Sequence, residues 1–119
     1  MAFKKELRIK IHNKYNKHCA YCGEEIALKE MQIDHIIPKF TFGYGDKSKI
    51  PNYGVDDVQN LNPSCRGCNF YKSTFTIEDF RNQLRTLHER LFKIFIVRMA
   101  LRFGIINYKK FDDKFYFER

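Results

Sequence analysis

The stretch Ser64-Cys-Arg-Gly-Cys-Asn-Phe-Tyr-Lys72 decides the fold, because its two cysteines repeat the spacing of an earlier segment, Cys19-Ala-Tyr-Cys22. Two residues between cysteines allow both thiolates to reach one metal ion from a tight turn. Two such turns supply four sulfurs, which satisfy a tetrahedral structural Zn²⁺ with no open coordination position. The sequence therefore predicts a structural zinc ion held by Cys19, Cys22, Cys65 and Cys68. Unligated cysteines or a single redox pair are the alternatives, and two regular pairs disfavour both.

Length, charge and aromatic content describe a small, basic, folded chain. The 119 residues suffice for one domain, and we expect residues 1–119 to form it. Hydrophobic residues make up 44% and aromatic residues 16% of the chain, which predicts a packed core rather than a disordered tail. The formal net charge of +8 favours a polyanionic partner, with nucleic acid first and an anionic membrane surface second.

We expect neither a targeting segment nor a membrane span. Charged residues begin at Lys4, where a signal peptide would develop its apolar core. The most apolar stretch, residues 94–101, is short and contains Arg98. A cytoplasmic chain is therefore expected, in which the cysteines stay reduced and form no disulfides.

The segments around the cysteine pairs have the patterns of a small mixed structure. Phe3, Leu7, Ile11 and Tyr15 form the apolar stripe of an N-terminal helix over 3–17, and basic residues cover the rest of it. That basic face is typical of a solvated surface, and phosphate contact is the alternative. The remaining elements are a strand over 31–37, a long loop over 40–58, a short strand over 58–63 and a helix over 65–72.

Residues 73–119 are expected to form a C-terminal helical extension. Thr76 is a good N-cap for a helix with an apolar face from Ile77 onward, and Gly104 is a natural C-cap for a helical piece over 91–103. A short hairpin is expected, with strands over 105–108 and 115–117. The apolar residues of this second helical piece are interpreted as core. They are expected to pack against the metal finger around the two cysteine pairs or against a second copy of the chain: Phe92, Phe95, Ile96, Met99 and Phe103.

Between and after the cysteine pairs lie Asp34-His-Ile-Ile-Pro38, the Asn60-Leu61 step and Cys68-Asn-Phe-Tyr-Lys72. This ordered pattern resembles the HNH endonuclease family, in its four-cysteine zinc-binding subgroup, over residues 19–72. The resemblance implies an α+β fold with a ββα-metal (His-Me finger) nuclease core stapled by the four-cysteine zinc site. The basic N-terminal helix, the C-terminal helices and the hairpin are expected to flank that core.

The resemblance also implies a role for each residue of the motif. His35 matches the general base that activates water, and an imidazole titrates near neutral pH. Asp34 and Asn69 match the ligands of a single divalent cation, and Asn60 matches the residue that fixes the loop between the strands. Because the last motif position is Asn69 rather than His, this is an H-N-N variant, whose oxygen ligands suit Mg²⁺ or Mn²⁺. The family implies products with a 5′ phosphate and a 3′ hydroxyl.

Four basic residues are candidates for holding DNA. Lys72 and Arg66 lie on or near the expected finger helix, and Lys47 and Lys49 lie in the long loop. Lysine and arginine commonly contact phosphate oxygens. For Lys72 and Arg66 a solvated charge is an equal alternative, and for the loop that carries Lys47 and Lys49 the equal alternative is disorder without function.

The expected function is therefore a metal-dependent HNH endonuclease that acts on DNA. Two alternatives stay open: a zinc-stabilised nucleic-acid-binding module without cleavage activity, and a nuclease whose activity depends on a partner. A homodimer or an accessory protein is compatible with either nuclease hypothesis. A short basic chain of this kind is associated with a phage, mobile-element or host-defence setting.

Overall fold

The computed structural model describes residues 3–38 and 56–119, and these form an α+β fold, which confirms the expected fold class. The helices are α1 (Lys5–Asn13), α2 (Arg66–Lys72), α3 (Ile77–Arg85), α4 (Leu87–Leu91) and α5 (Phe95–Arg102), and the strands are β1 (Gln32–His35) and β2 (Leu61–Ser64). Short 3₁₀ turns lie at Leu28–Glu30, Val58–Asn60 and Tyr116–Glu118.

The two strands pair antiparallel and lead directly into α2. The register places Gln32 opposite Ser64 and His35 opposite Leu61. Cys65 is the N-cap of α2, and its sulfur accepts a hydrogen bond from the Cys68 amide at 3.4 Å. A strand pair followed at once by a helix is the ββα arrangement expected from the sequence. The first strand is shorter than expected, and the second begins later because residues 58–60 form a 3₁₀ turn.

Helix α1 covers one side of the sheet through a small apolar core. Its Ile11 is buried with Ile26, Met31 and Leu61. The helix is shorter than the expected 3–17, since it ends at Asn13 and the next residues turn through positive φ at 16 and 17.

Two basic residues of the N-terminal segment stabilise the fold instead of facing solvent. Arg8 of α1 donates to the carbonyls of Leu28 and Met31 at 3.0 and 2.9 Å. Lys14, just after the helix, donates to the carbonyls of Val58 and Leu61 at 2.8 and 2.7 Å. The basic face of this segment is thus partly structural, and its other basic residues remain exposed: Lys4, Lys5, Lys10 and Lys17.

An aromatic cluster joins the first cysteine pair to α3 and the chain end. Tyr21, Phe80 and Phe115 are buried together, with ring centroids 5.0–5.5 Å apart. Helix α3 begins as expected, because the Thr76 hydroxyl accepts from the Asp79 amide at 2.9 Å. This cluster is the second core of the molecule.

The expected hairpin over 105–108 and 115–117 is wrong. Residues 103–115 contain no strand, and Tyr116–Glu118 form a 3₁₀ turn. The amides of Tyr116 and Phe117 donate to the carbonyls of Tyr21 and Ala20 at 3.0 and 2.8 Å. Docking on the first cysteine turn, driven by burial of Phe115, therefore replaces pairing within the C-terminal segment.

The expected helical piece over 91–103 is interrupted, because α4 ends at Leu91 and α5 begins at Phe95. Gly104 does follow the helix end with a φ of +73°, the left-handed conformation that glycine adopts at low cost. The expected packing of this segment against the finger is wrong, since Phe95, Ile96 and Phe103 are 56%, 79% and 71% exposed, and packing against a second copy stays a prediction.

Within residues 3–38 and 56–119, none of the helices combines the length and hydropathy that a bilayer crossing requires. Most of the expected long loop, including Lys47 and Lys49, lies outside the described residues.

Candidate active site and cysteine cluster

The four cysteine sulfurs converge on one point. We call residues 19–22 the first knuckle and residues 65–68 the second. All four Sγ atoms lie within 4.8 Å of one another, and those of Cys22 and Cys65 are 3.8 Å apart. A hydrogen bond from Cys68 lowers the pKa of the Cys19 thiol to about 4, so at least one thiolate is favoured at neutral pH. This donor set is suited to binding a metal ion and is assembled from two segments that lie 43 residues apart.

The first knuckle closes on a glycine and on β2. Gly23 has a φ of +80°, and its amide donates to the Cys19 carbonyl at 3.0 Å. The amide of Ala20 donates to the Pro63 carbonyl at 2.8 Å, which fixes the knuckle beside the second strand. The left-handed turn at Gly23 thus returns the chain alongside residues 17–19, where the Cys19 amide donates to the Glu24 carbonyl at 2.7 Å.

A cleft of about 260 Å³ lies between the end of β1 and the face of α2. Its lining includes Asp34, His35 and Asn69, three of the residues that the sequence motif singles out. Because adjacent residues of a strand point to opposite faces, Asp34 and His35 can share a site only where the strand end twists. Both do line this cleft, at the last two positions of β1.

The Asp34 carboxylate is almost fully buried and has two donors. The Tyr21 hydroxyl donates to Oδ2, and the Lys72 ammonium lies 3.1 Å from Oδ2 and 3.4 Å from Oδ1. Burial raises the pKa of Asp34, an effect that Lys72 and Tyr21 oppose. Burial also raises the pKa of Tyr21 well above its ordinary value, so the phenol keeps its proton and acts as the donor. The carboxylate retains acceptor positions beyond these contacts.

His35 has an acidic partner that the sequence motif did not include. Its Nε2 lies 2.6 Å from Oδ1 of Asp56, 21 residues further along the chain. Because a carboxylate only accepts hydrogen bonds, Nε2 carries the hydrogen and Nδ1 is left as the acceptor. The Phe3 ring lies 6.2 Å from the imidazole. Asp56 belongs to no local sequence motif. The one signal that favours a role for it is its position near the end of the expected long loop over 40–58.

Asn60 binds the backbone that follows His35. Its side-chain oxygen accepts from the Ile37 amide at 2.9 Å, and its amide donates to the Ile37 carbonyl at 3.2 Å. Asn60 is 2% exposed. This two-way contact holds the chain segment that leaves β1, in keeping with the loop-fixing role implied by the resemblance.

Lys72 does not present its charge to a ligand, which corrects the expectation that it holds phosphate. Its side chain is fully buried, and its ammonium donates to the His35 carbonyl at 3.0 Å as well as to Asp34. The period of α2 places the Lys72 side chain on the helix face that packs against the end of β1. Arg66 is exposed but lines a different cleft, beside Glu24, Glu25 and Glu30.

A two-stranded sheet and helix, with an Asp-His pair at the strand end and an Asn on the helix, define the ββα-metal class of fold. The sequence profile described as "HNH endonuclease" matches residues 19–85, more than half of the chain. The chain belongs to the HNH endonuclease family.

Two known proteins are similar to this chain. YoqL, an SPbeta prophage-derived protein of Bacillus subtilis (strain 168) that is named as a putative HNH endonuclease, is 34% identical over 85 residues. The match covers 67% of this chain and 34% of YoqL, so the chain spans about a third of that relative. The structural alignment with the Type II-C Cas9 enzyme of Actinomyces naeslundii covers 92% of this chain and 12% of the Cas9 chain, with 18% sequence identity and a TM-score of 0.45.

Proposed function

We propose that this chain is a metal-dependent endonuclease that hydrolyses phosphodiester bonds of DNA. The observation that carries the proposal is the cleft lined by Asp34, His35 and Asn69, in which the histidine is bonded to a carboxylate. The net charge of +8 supports a polyanionic substrate. Family membership supports nuclease chemistry, and the name of the prophage-derived relative agrees with it.

The cysteine cluster fits a structural zinc ion. A tetrahedral site with Zn–S bonds of about 2.3 Å requires sulfurs about 3.8 Å apart. The Cys22 and Cys65 sulfurs have that separation, and all four sulfurs lie within 4.8 Å of one another. Four thiolates fill the coordination shell, so this ion would stabilise the fold and take no part in the reaction.

The cleft fits a second, hard cation. Asp34 and Asn69 offer carboxylate and amide oxygens, which are the ligands that Mg²⁺ and Mn²⁺ prefer. When bound there, such a cation would supply positive charge for the scissile phosphate and for the departing 3′ oxygen.

His35 would act as the general base. With its Nε2–H directed at Asp56, the imidazole has Nδ1 free to take a proton from the attacking water. Asp56 holds the ring in one orientation and stabilises the imidazolium that proton transfer creates. Asn60 fixes the backbone after His35. The histidine is therefore held at two places, at its ring by Asp56 and at the following backbone by Asn60.

DNA contacts are proposed at exposed basic positions only. Lys47 and Lys49 remain candidates, while Arg66 is the weaker one because of its acidic neighbours. The exposed lysines of the N-terminal segment form an additional basic surface. Partner proteins and dimers stay hypotheses, and one active site per chain predicts that a monomer nicks a single strand.

A binding module without cleavage is the second hypothesis, and a partner-dependent nuclease is the third. Pure binding gives no reason for a histidine–aspartate pair beside oxygen ligands in one cleft. The partner-dependent form shares the same residues and differs only in when the site is used.

The test is plasmid cleavage by zinc-loaded protein with Mg²⁺, with Mn²⁺ or with no added divalent cation, using wild type, His35→Ala and His88→Ala. His88 is a matched control, because it contacts Phe92 and Tyr108 far along the chain from the motif. We expect metal-dependent nicking by wild type and His88→Ala, and a loss of about 10²–10⁴-fold in His35→Ala with DNA affinity retained. Equal turnover by His35→Ala would refute the assigned base. DNA binding without cleavage by any of the proteins, in either metal, would favour the binding module.

A further inference from the structure

The Asp34 carboxylate is contacted by one side chain from the first knuckle and by one from the helix that begins in the second knuckle. Tyr21, which donates to Oδ2, lies between Cys19 and Cys22 of the first knuckle. Lys72 lies one helical turn after Cys68 of the second knuckle, on α2. The first knuckle therefore contributes one buried donor to this acid, and the helix that begins in the second knuckle contributes the other.

These donors are placed by the backbone that the sulfurs hold. Tyr21 is separated from each cysteine of its knuckle by no more than one residue, so closure of the cysteine cluster fixes its backbone. Lys72 shares α2 with Cys68 and Asn69, and its ammonium also binds the His35 carbonyl at 3.0 Å. The same helix thus carries a sulfur ligand, an oxygen ligand and the lysine.

Stability alone gives little reason for this arrangement. Tyr21, Asp34 and Lys72 are 4%, 5% and 0% exposed, and burying charged groups costs free energy that their attraction often only offsets. Apolar residues of similar volume are frequently as stable at such positions. Tyr21 and Lys72 do fix the orientation of the Asp34 carboxylate at the edge of the cleft. The carboxylate oxygens keep lone pairs beyond these two contacts, and these can bind a cation.

We propose that Tyr21 and Lys72 are positioning residues for Asp34, so that the two knuckles set the orientation of the acid that holds the catalytic cation as well as the fold. The inference rests on the proposed function, in which Asp34 is a ligand of that cation. Hydrogen-bonding partners of metal ligands typically contribute about 10–100-fold to metal affinity or activity.

The test uses Tyr21→Phe, which removes one hydroxyl and keeps the ring that packs on Phe80 and Phe115. Tyr71→Phe is the matched control: Tyr71 also meets Phe80 edge-on at 5.8 Å, but its hydroxyl bonds Arg90 at 3.3 Å. Calorimetric titration of the zinc-loaded proteins with Mn²⁺ measures the dissociation constant without catalysis. Circular dichroism and zinc content establish that each variant is folded.

We expect Tyr21→Phe to weaken Mn²⁺ binding about 10-fold or more, and to lower kcat for plasmid nicking while KM for DNA stays the same. Tyr71→Phe should match wild type in both measurements. A folded Tyr21→Phe protein with wild-type Mn²⁺ affinity and kcat would overturn the positioning role.

The Asp34→Asn variant distinguishes two negative results. One is failure of the positioning role of Tyr21, and the other is failure of the proposed function, in which Asp34 is a ligand of the cation. If Asp34→Asn binds Mn²⁺ as wild type does, the ligand assignment itself is wrong and the inference falls with it. If Asp34→Asn loses Mn²⁺ while Tyr21→Phe does not, the proposed function stands and only the positioning role is refuted.

Discussion

Two regions of this molecule differ in opposite directions in apolar content and in burial: the region richer in apolar residues is the less buried one. The finger region, residues 5–38 and 56–85, contains the cysteine cluster, the strand pair and most of the buried side chains. In the C-terminal segment, residues 87–111, no residue is buried, although isoleucine, leucine and phenylalanine abound there. A cleft of about 390 Å³ in this segment is lined mostly by apolar side chains.

The difference shows that apolar content does not by itself produce a core. The finger buries its residues because sulfurs, backbone bonds and buried polar contacts bring distant parts of the chain together. Helices α4 and α5 are short, and their apolar faces line an open cleft instead of a closed core. Burial needs a surface that covers the apolar face fully, and the finger region provides one.

The largest expected effect comes from breaking the cysteine cluster that sets the two regions apart. Cys68→Ser should leave the finger region unfolded, because a structural zinc site contributes about 10–16 kcal/mol and a small domain has only about 5–15 kcal/mol of stability. Far-UV circular dichroism and bound-zinc analysis would measure this, and removal of zinc by a chelator should reproduce it. A variant that melts as wild type does would show that zinc does not support the fold.

The same substitution in both regions compares their burial directly. Phe80→Ala, at a residue 1% exposed, should lower the free energy of unfolding by about 3–5 kcal/mol. Phe103→Ala, at a residue 71% exposed, should change it by less than about 0.5 kcal/mol. Urea unfolding followed by circular dichroism gives both values. Equal losses would mean that the C-terminal segment is covered in solution, for instance by a second copy.

Glycines with positive φ offer a finer comparison. Alanine at Gly23 should cost about 1–2 kcal/mol in backbone strain, and its Cβ would lie 2.6 Å from Tyr116, which must move and give up its stack on His18. Alanine at Gly104, with nothing within 4 Å, should cost the strain alone. Thermal melting of the two variants should therefore rank Gly23→Ala below Gly104→Ala. The reverse order would contradict the packing of the chain end on the first knuckle.

The smallest effect concerns the ion pair that holds the chain end on α3. Arg81 binds both oxygens of Glu118 at 2.7 and 2.6 Å and keeps the pKa of that carboxyl below its usual value. Because the folded pKa is lowered, this stabilisation is present above about pH 4.5 and is lost as the pH falls through the lowered value.

Glu118→Gln should therefore be less stable than wild type by about 1 kcal/mol at pH 7, and the difference should shrink as the pH falls below about 4.5. Denaturant unfolding of both proteins at several pH values measures it. Asp112→Asn, which removes the more exposed pair with Arg119, serves as a control and should produce a smaller pH-dependent difference, because solvent screens that pair. A Glu118→Gln difference that stays constant with pH would refute the ionic contribution.

Short-range features were readable from the sequence. The cysteine spacing predicted that the four sulfurs come together, and the order of Asp34, His35, Asn60 and Asn69 predicted the family. The Thr76 cap and the Gly104 helix end were also correct. Each of these signals is carried by a few neighbouring residues, whose preferences and spacing are local. The cysteine pairs are 43 residues apart, but tetrahedral coordination of one ion requires that they meet.

Contacts between distant segments were decided only in the tertiary structure. The pairing of His35 with Asp56, the burial of Lys72 against Asp34 and the bond from Tyr21 to that acid join residues 13 to 38 positions apart. Likewise, residues 115–117 favour strand formation locally but dock on the first knuckle instead. Local patterns specify which elements can form, whereas the choice of partner depends on the burial and hydrogen bonds gained when the chain closes.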